Sequence, residues 1–95
     1  MDKKILIIDD DEQDQKAMDV ALKKSGYTEI LFEENGESGV EAAKLFDPDI
    51  ILIDVVLQNV DGFDVCIEMR GANIRSKIIM VTGHLDAVNA KKAVK

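Results

Sequence analysis

The sequence is poor in several residue types, and each scarcity narrows what the chain can be. It has a single cysteine, Cys66, and a single histidine, His84, among 95 residues. No intramolecular disulfide is therefore possible, and no Cys/His set exists for a zinc site. Cys66 reads as a small apolar residue on a helix. Tryptophan is absent, so there is no indole reporter for following ligand binding. No apolar run approaches the ~20 residues that a membrane span requires. The opening Met1-Asp2-Lys3-Lys4 passes straight into a short strand-like run, unlike a secretory leader. Glycines do not form a phosphate-cradling loop. Basic residues are the minority, 12 against 19 acidic, for a net charge of −7. An acidic surface disfavours direct binding to nucleic acid or to an anionic membrane. The expected compartment is the cytoplasm.

What is present is ordinary for a soluble globular domain: 46% hydrophobic and 33% charged residues. The length allows one domain, residues 1–95, with a small core. Lys4-Ile5-Leu6-Ile7-Ile8 is a short, continuous, β-branched run of the kind buried on both faces of a sheet. It stops at Asp9-Asp10-Asp11. Residues 12–25 carry Ala17, Met18, Ala21 and Leu22 at helical spacing, with Gly26 as the stop signal. Residues 29–33 read as a second strand. A second helix follows the Asn35-Gly36 turn, with Val40, Ala42, Ala43 and Phe46 as its stripe, and ends at Asp47-Pro48. The third strand is Ile50-Ile51-Leu52-Ile53, ending at Asp54. Asp61-Gly62 breaks the chain before a third helix bearing Phe63, Val65, Cys66 and Met69. Residues 77–81 form a fourth strand ending at Thr82-Gly83, and Asp86 could cap a fourth helix reaching Lys95.

Strands alternating with helices imply an α/β fold, a parallel sheet covered on both faces. Ligands of such sheets sit beyond the carboxyl ends of the strands, where strand order reverses. That rule singles out Asp9, Asp10 and Asp11, then Asp54, then Thr82, each following a separate apolar strand. Clustered carboxylates repel, and a divalent cation relieves the repulsion. Oxygen-only donors suit a hard ion, and a few carboxylates with water suit Mg2+. A cation, a nucleophilic carboxylate and a hydroxyl together suit phosphoryl transfer.

Four stretches in order carry a family resemblance: Ile5-Leu6-Ile7-Ile8-Asp9-Asp10-Asp11-Glu12, Pro48-Asp49-Ile50-Ile51-Leu52-Ile53-Asp54, Asp61-Gly62-Phe63-Asp64-Val65-Cys66, and Lys77-Ile78-Ile79-Met80-Val81-Thr82-Gly83-His84. Together they resemble the response-regulator receiver domains of two-component signalling. The resemblance implies a flavodoxin-like doubly wound sheet of strand order 2-1-3-4. It implies that Asp54 accepts a phosphoryl group from a histidine kinase. It also implies a Mg2+ site made by Asp10 directly, Asp9 through water, Asp54, and the backbone carbonyl of Val56, with Thr82 as the switch hydroxyl. Asp11 is expected to be peripheral.

The family has a fifth strand, a lysine at its end and a fifth helix. This chain stops at Lys95, before them, and Lys91, Lys92 and Lys95 fall in the fourth helix by pattern. On this reading the fourth strand becomes an exposed apolar edge and one sheet face is short of a helix, so a homo-oligomer is expected. Two other functions fit parts of the sequence. Asp9-Asp10-Asp11 with Thr82 is similar to haloacid dehalogenase-like phosphatases, with Asp9 as nucleophile, although their later lysine and acidic pair are not visible and Asp54 would lack a role. A non-phosphorylated structural or dimerisation module on the receiver fold is the third.

Overall fold

The structure is a computed structural model and describes residues 3–57 and 60–81. The elements run β1 (Lys4–Ile8), α1 (Glu12–Lys24), β2 (Glu29–Glu33), α2 (Gly36–Phe46), β3 (Ile50–Asp54), β4 (Val56–Leu57), β5 (Val60–Asp61), α3 (Gly62–Gly71) and β6 (Lys77–Val81). Four strands form one parallel sheet in the order β2-β1-β3-β6. This is the order anticipated from the sequence, with β6 as its fourth strand. The two-residue strands β4 and β5 form a separate antiparallel pair after β3. The sequence gives no sign of that pair, because two residues carry no periodicity. The fourth helix anticipated after Asp86 falls outside the described residues.

β1 sits between β2 and β3, so the crossover through α1 (β1 to β2) and the one through α2 (β2 to β3) run in opposite directions across the sheet. Since such crossovers are right-handed, α1 and α2 lie on opposite faces of the sheet. α3 leads from the β3 side to β6 in the same direction as α2 and shares its face. Strand alternation agrees with this. Leu6, Ile8, Ile51 and Ile53 join Val40 and Ala43 of α2 and Val65 and Met69 of α3 in the core cluster. Ile5 and Ile7 point the other way and are also fully buried.

The two faces are covered unequally. No residue of α1 is buried. Of its expected apolar stripe, Met18 and Leu22 are half-buried while Ala17 and Ala21 are exposed. The reason is geometric. Among the described residues α1 is alone on its face, and a lone helix against a sheet leaves both its flanks in solvent. Far along that face, Ile79 of β6 is 41% exposed.

The helix ends follow the residue chemistry expected of them. Asp11 caps α1, its carboxylate accepting from the backbone N–H of Gln13 and Asp14. Asp11 thus serves as a helix cap and lies outside the group of Asp9, Asp14 and Asp54. Gly26, just past α1, has φ +97°, the left-handed geometry glycine permits. Asp47 ends α2 at φ 50° directly before Pro48. On α2, Gly39 lies where a Cβ would strike the side chain of Ile8, which is fully buried and has nowhere to go. Glycine there lets the helix seat directly on β1.

Candidate functional site

Asp9 follows the last residue of β1 and is 2% exposed. Its backbone N–H donates to the Glu33 carbonyl at 3.0 Å, which extends the β1–β2 pairing by one step. Its Oδ1 accepts from the backbone N–H of Asp11 at 2.9 Å. That bond closes a tight turn and directs the chain into α1. Asp54 is the last residue of β3 and is 4% exposed. Its Oδ1 accepts from the backbone N–H of Val56 at 3.1 Å. On the other side β6 ends level with it, Val81 being its register partner.

Asp14 is the third member. It lies in the first turn of α1, and its Oδ2 is buried without a hydrogen-bond partner. One carboxylate oxygen from each of Asp9, Asp14 and Asp54 lies within 4.8 Å of the others. The structure therefore brings together two of the residues picked from the sequence, Asp9 and Asp54. Asp10 is exposed and lies outside this group of three. Asp10 occupies the bend between buried Asp9 and the capping Asp11, where its side chain faces solvent. Val56 is 42% exposed beside Asp54. Thr82 lies outside the described residues; it directly follows Val81 in the chain.

Asp14 was not foreseen. The available signal was its place at the third residue of a helix that starts beside the acidic run. The Asp9–Asp11 turn and the Asp11 cap fix where that helix begins.

Burial pushes the Asp9 carboxyl up from 3.8 to about 6, opposed by the Asp11 N–H and reinforced by the charges of Asp54, Asp14 and Asp10. This electrostatic tension, together with the unsatisfied buried oxygen of Asp14, is what a cation would relieve. Three convergent carboxylate oxygens are a donor set of the kind a hard divalent ion such as Mg2+ takes.

The Asp-Gly pair before α3 also belongs to the site. Asp61 caps α3 by accepting from the Phe63 N–H at 2.9 Å. Gly62 then packs against the backbone of Asp54: a Cβ there would collide with the Asp54 carbonyl oxygen and come 3.1 Å from Met80 Cε. The colliding atom is backbone, so it cannot swing away as a side chain would. Gly62→Ala is expected to lower stability by ~1–3 kcal/mol and to displace Asp54. Urea denaturation should show the loss, and Mg2+ titration by calorimetry should show weakened binding. Unchanged values for both would mean that the Gly62 contact does not position the site.

Residues 5–95 match the family profile of the response regulator receiver domain. Among curated proteins, the chain is 35% identical over 82 residues to the alkaline phosphatase synthesis transcriptional regulatory protein PhoP of Bacillus subtilis, covering 86% of this chain and 34% of that protein. It is 32% identical over 80 residues to the cell cycle transcriptional regulator CtrA of Caulobacter vibrioides, covering 84% and 34%. The chain thus spans about a third of the length of these relatives. Among solved structures, the chemotaxis protein CheY4 of Vibrio cholerae superposes with a TM-score of 0.82 at 21% identity, over 99% of this chain and 79% of that one. The MaeR response regulator bound to beryllium trifluoride gives a TM-score of 0.81 at 22% identity, over 98% and 79%. With a family match over nearly its whole length, on a sheet of the order that family's resemblance implies, the chain belongs to the response regulator receiver domains.

Proposed function

We propose that this domain takes a phosphoryl group from the phosphohistidine of a histidine kinase onto Asp54 and changes conformation in response. The convergence of Asp9, Asp14 and Asp54 at the carboxyl ends of β1 and β3 carries this reading. In the transfer, an Asp54 carboxylate oxygen forms a bond to phosphorus while the phosphorus–nitrogen bond breaks and its electron pair leaves with the imidazole. The Val56 N–H holds one oxygen of Asp54 and fixes the plane of the nucleophile. Asp9 and Asp54, with Asp10 at the rim and the Val56 carbonyl, are the ligands assigned to Mg2+, and Asp14 is added to them. Asp10 is near enough for its charge to act on Asp9. Bound Mg2+ supplies charge neutralisation among the carboxylates and the phosphoryl oxygens.

Thr82 is assigned the switch hydroxyl, donating to a phosphoryl oxygen. The β3–β6 register supports it, since Thr82 comes one residue after the partner of Asp54. Phosphorylation adds roughly one to two negative charges, and the neighbouring loops reorganise to satisfy them. Acetyl phosphate with Mg2+ is the direct test. One phosphoryl adduct, mapped by peptide mass spectrometry to Asp54, is expected. An adduct on Asp9 would instead indicate the phosphatase chemistry, and no adduct would favour a purely structural module.

No described helix is long and apolar enough to cross a membrane, and a cytoplasmic location is part of the proposal, as is the absence of direct nucleic-acid binding by this acidic domain. Homo-oligomerisation is proposed through β6. Among the described residues β6 pairs only with β3, and Ile79 on the thinly covered face is 41% exposed. Sedimentation at micromolar concentration is expected to show a dimer or larger species that Ile79→Lys weakens. A single monomeric species for the unaltered chain would refute the assignment.

A further inference from the structure

At the opposite edge of the sheet from β6, β2 and α2 enclose an open groove of about 790 Å³. Its apolar lining comes from both elements: Leu31 of β2, with Ala42, Leu45 and Phe46 of α2. Leu45 is 88% exposed, the most exposed large apolar side chain among the described residues. Its rim is acidic: Glu33 at the end of β2, and Glu37 and Glu41 on α2. Glu37, Glu41 and Leu45 recur every fourth residue, so they form one row along the helix. Two cations reach it among the described residues: Lys44, 3.3 Å from Glu41 in an exposed pair, and Lys4, whose ammonium lies 5.5 Å from the centre of the Phe46 ring and donates to the Phe46 carbonyl. A second, smaller hollow of about 360 Å³ on the other flank of α2 shares Glu37 and adds Asp64 and Glu68. The acidic surface therefore continues across the end of α2.

Nothing in the phosphoryl chemistry uses this groove. The geometry points to a docking site for a basic amphipathic helix of a partner protein. Its apolar row would cover Leu31, Ala42, Leu45 and Phe46, and its Lys or Arg residues would meet Glu33, Glu37 and Glu41. Such a helix would continue the layer formed by α2 and α3 past the sheet edge. Local charge selects this occupant over a second copy seated groove to groove: each rim carries Glu33, Glu37 and Glu41, and like-signed surfaces brought together are penalised.

Amide NMR of the isotope-labelled full chain, titrated with a short amphipathic helical peptide of Leu and Lys and with its Leu and Glu counterpart, tests this. The Lys peptide is expected to perturb amides of β2 and α2 around the groove and to lose affinity as salt is raised. The Glu peptide is expected not to bind. Leu45→Ser, and separately Glu37→Lys combined with Glu41→Lys, should each weaken the Lys peptide on the order of tenfold. All three positions are exposed, so the fold should be retained, and amide spectra of the free variants check it. Absence of binding would overturn the assignment, as would perturbations away from the groove, equal binding of the Glu peptide, or indifference to both variants. Self-association that Leu45→Ser abolishes would overturn it in favour of a second copy. Because the readout is independent of acetyl phosphate labelling, failure here leaves the Asp54 chemistry standing, and the reverse holds too.

Discussion

Asp54→Asn is expected to abolish acetyl phosphate labelling while making the metal-free protein more stable. The two effects have different origins. An amide nitrogen or oxygen is too weak a nucleophile to form the acyl phosphate, so the adduct should fall below detection. Stability should rise because Asp54 is one of three carboxylates whose oxygens lie within 4.8 Å of one another. Its charge helps to hold the Asp9 carboxyl near 6. Asn is nearly isosteric, and its carbonyl oxygen can still accept from the Val56 N–H. Removing the charge should let Asp9 titrate closer to its ordinary range. Retained labelling at another residue, or a melting temperature lowered by the substitution, would contradict the assignment of Asp54 and of the repulsion around it.

Asp9→Asn should change the pH dependence of stability most. Burial raises the Asp9 carboxyl from 3.8 to about 6 in the folded protein. Between these values the folded state binds more protons than the unfolded state. Stability contributed by this group is therefore full below about pH 4 and is lost as pH rises through 6. The whole effect is about 3 kcal/mol at most, and water entering the site would reduce it. For a domain of this size ~1 kcal/mol moves the melting temperature by roughly 4–8 °C. The Asn variant keeps the acceptor for the Asp11 N–H but carries no charge at any pH. It should therefore match the parent near pH 4 and be the more stable of the two at pH 7, in the absence of metal. Adding Mg2+ at pH 7 should reverse the order, because the parent gains binding energy that the variant cannot. Parallel melting curves for the two proteins from pH 4 to 7 would show that the Asp9 carboxyl is not raised. Equal Mg2+ stabilisation would remove Asp9 from the metal site.

Several features of this domain are local and can be read from the chain. Ile5 to Ile8 and Ile50 to Ile53 are too apolar to be anything but central strands, and they become β1 and β3 in the middle of the sheet. Asp9 and Asp54 stand where those strands end, so the strand-end rule found the two most buried members of the acidic site. Gly26 and Asp47-Pro48 stop their helices through backbone geometry that needs no tertiary partner.

Other features depend on angles between elements, and no single stretch of sequence encodes an angle. Asp14 enters the site because α1, which begins just after the Asp9–Asp11 turn, packs with its first turn near the strand ends. Asp10, adjacent to Asp9 and of the same type, faces solvent in the bend that the Asp9–Asp11 hydrogen bond closes. Gly62 looks like a generic helix-start glycine until α3 is laid against the carbonyl of Asp54. The stripe on α1 reads as a core face, yet no residue of that helix is buried. Periodicity tells which side of a helix is apolar, whereas burial depends on how many neighbours share its layer. The sequence by itself determined the four strands of the main sheet, their order along the chain and the identity of the acidic strand ends. The tertiary structure decided which carboxylates meet, since the distance between charges on separate elements is set by packing.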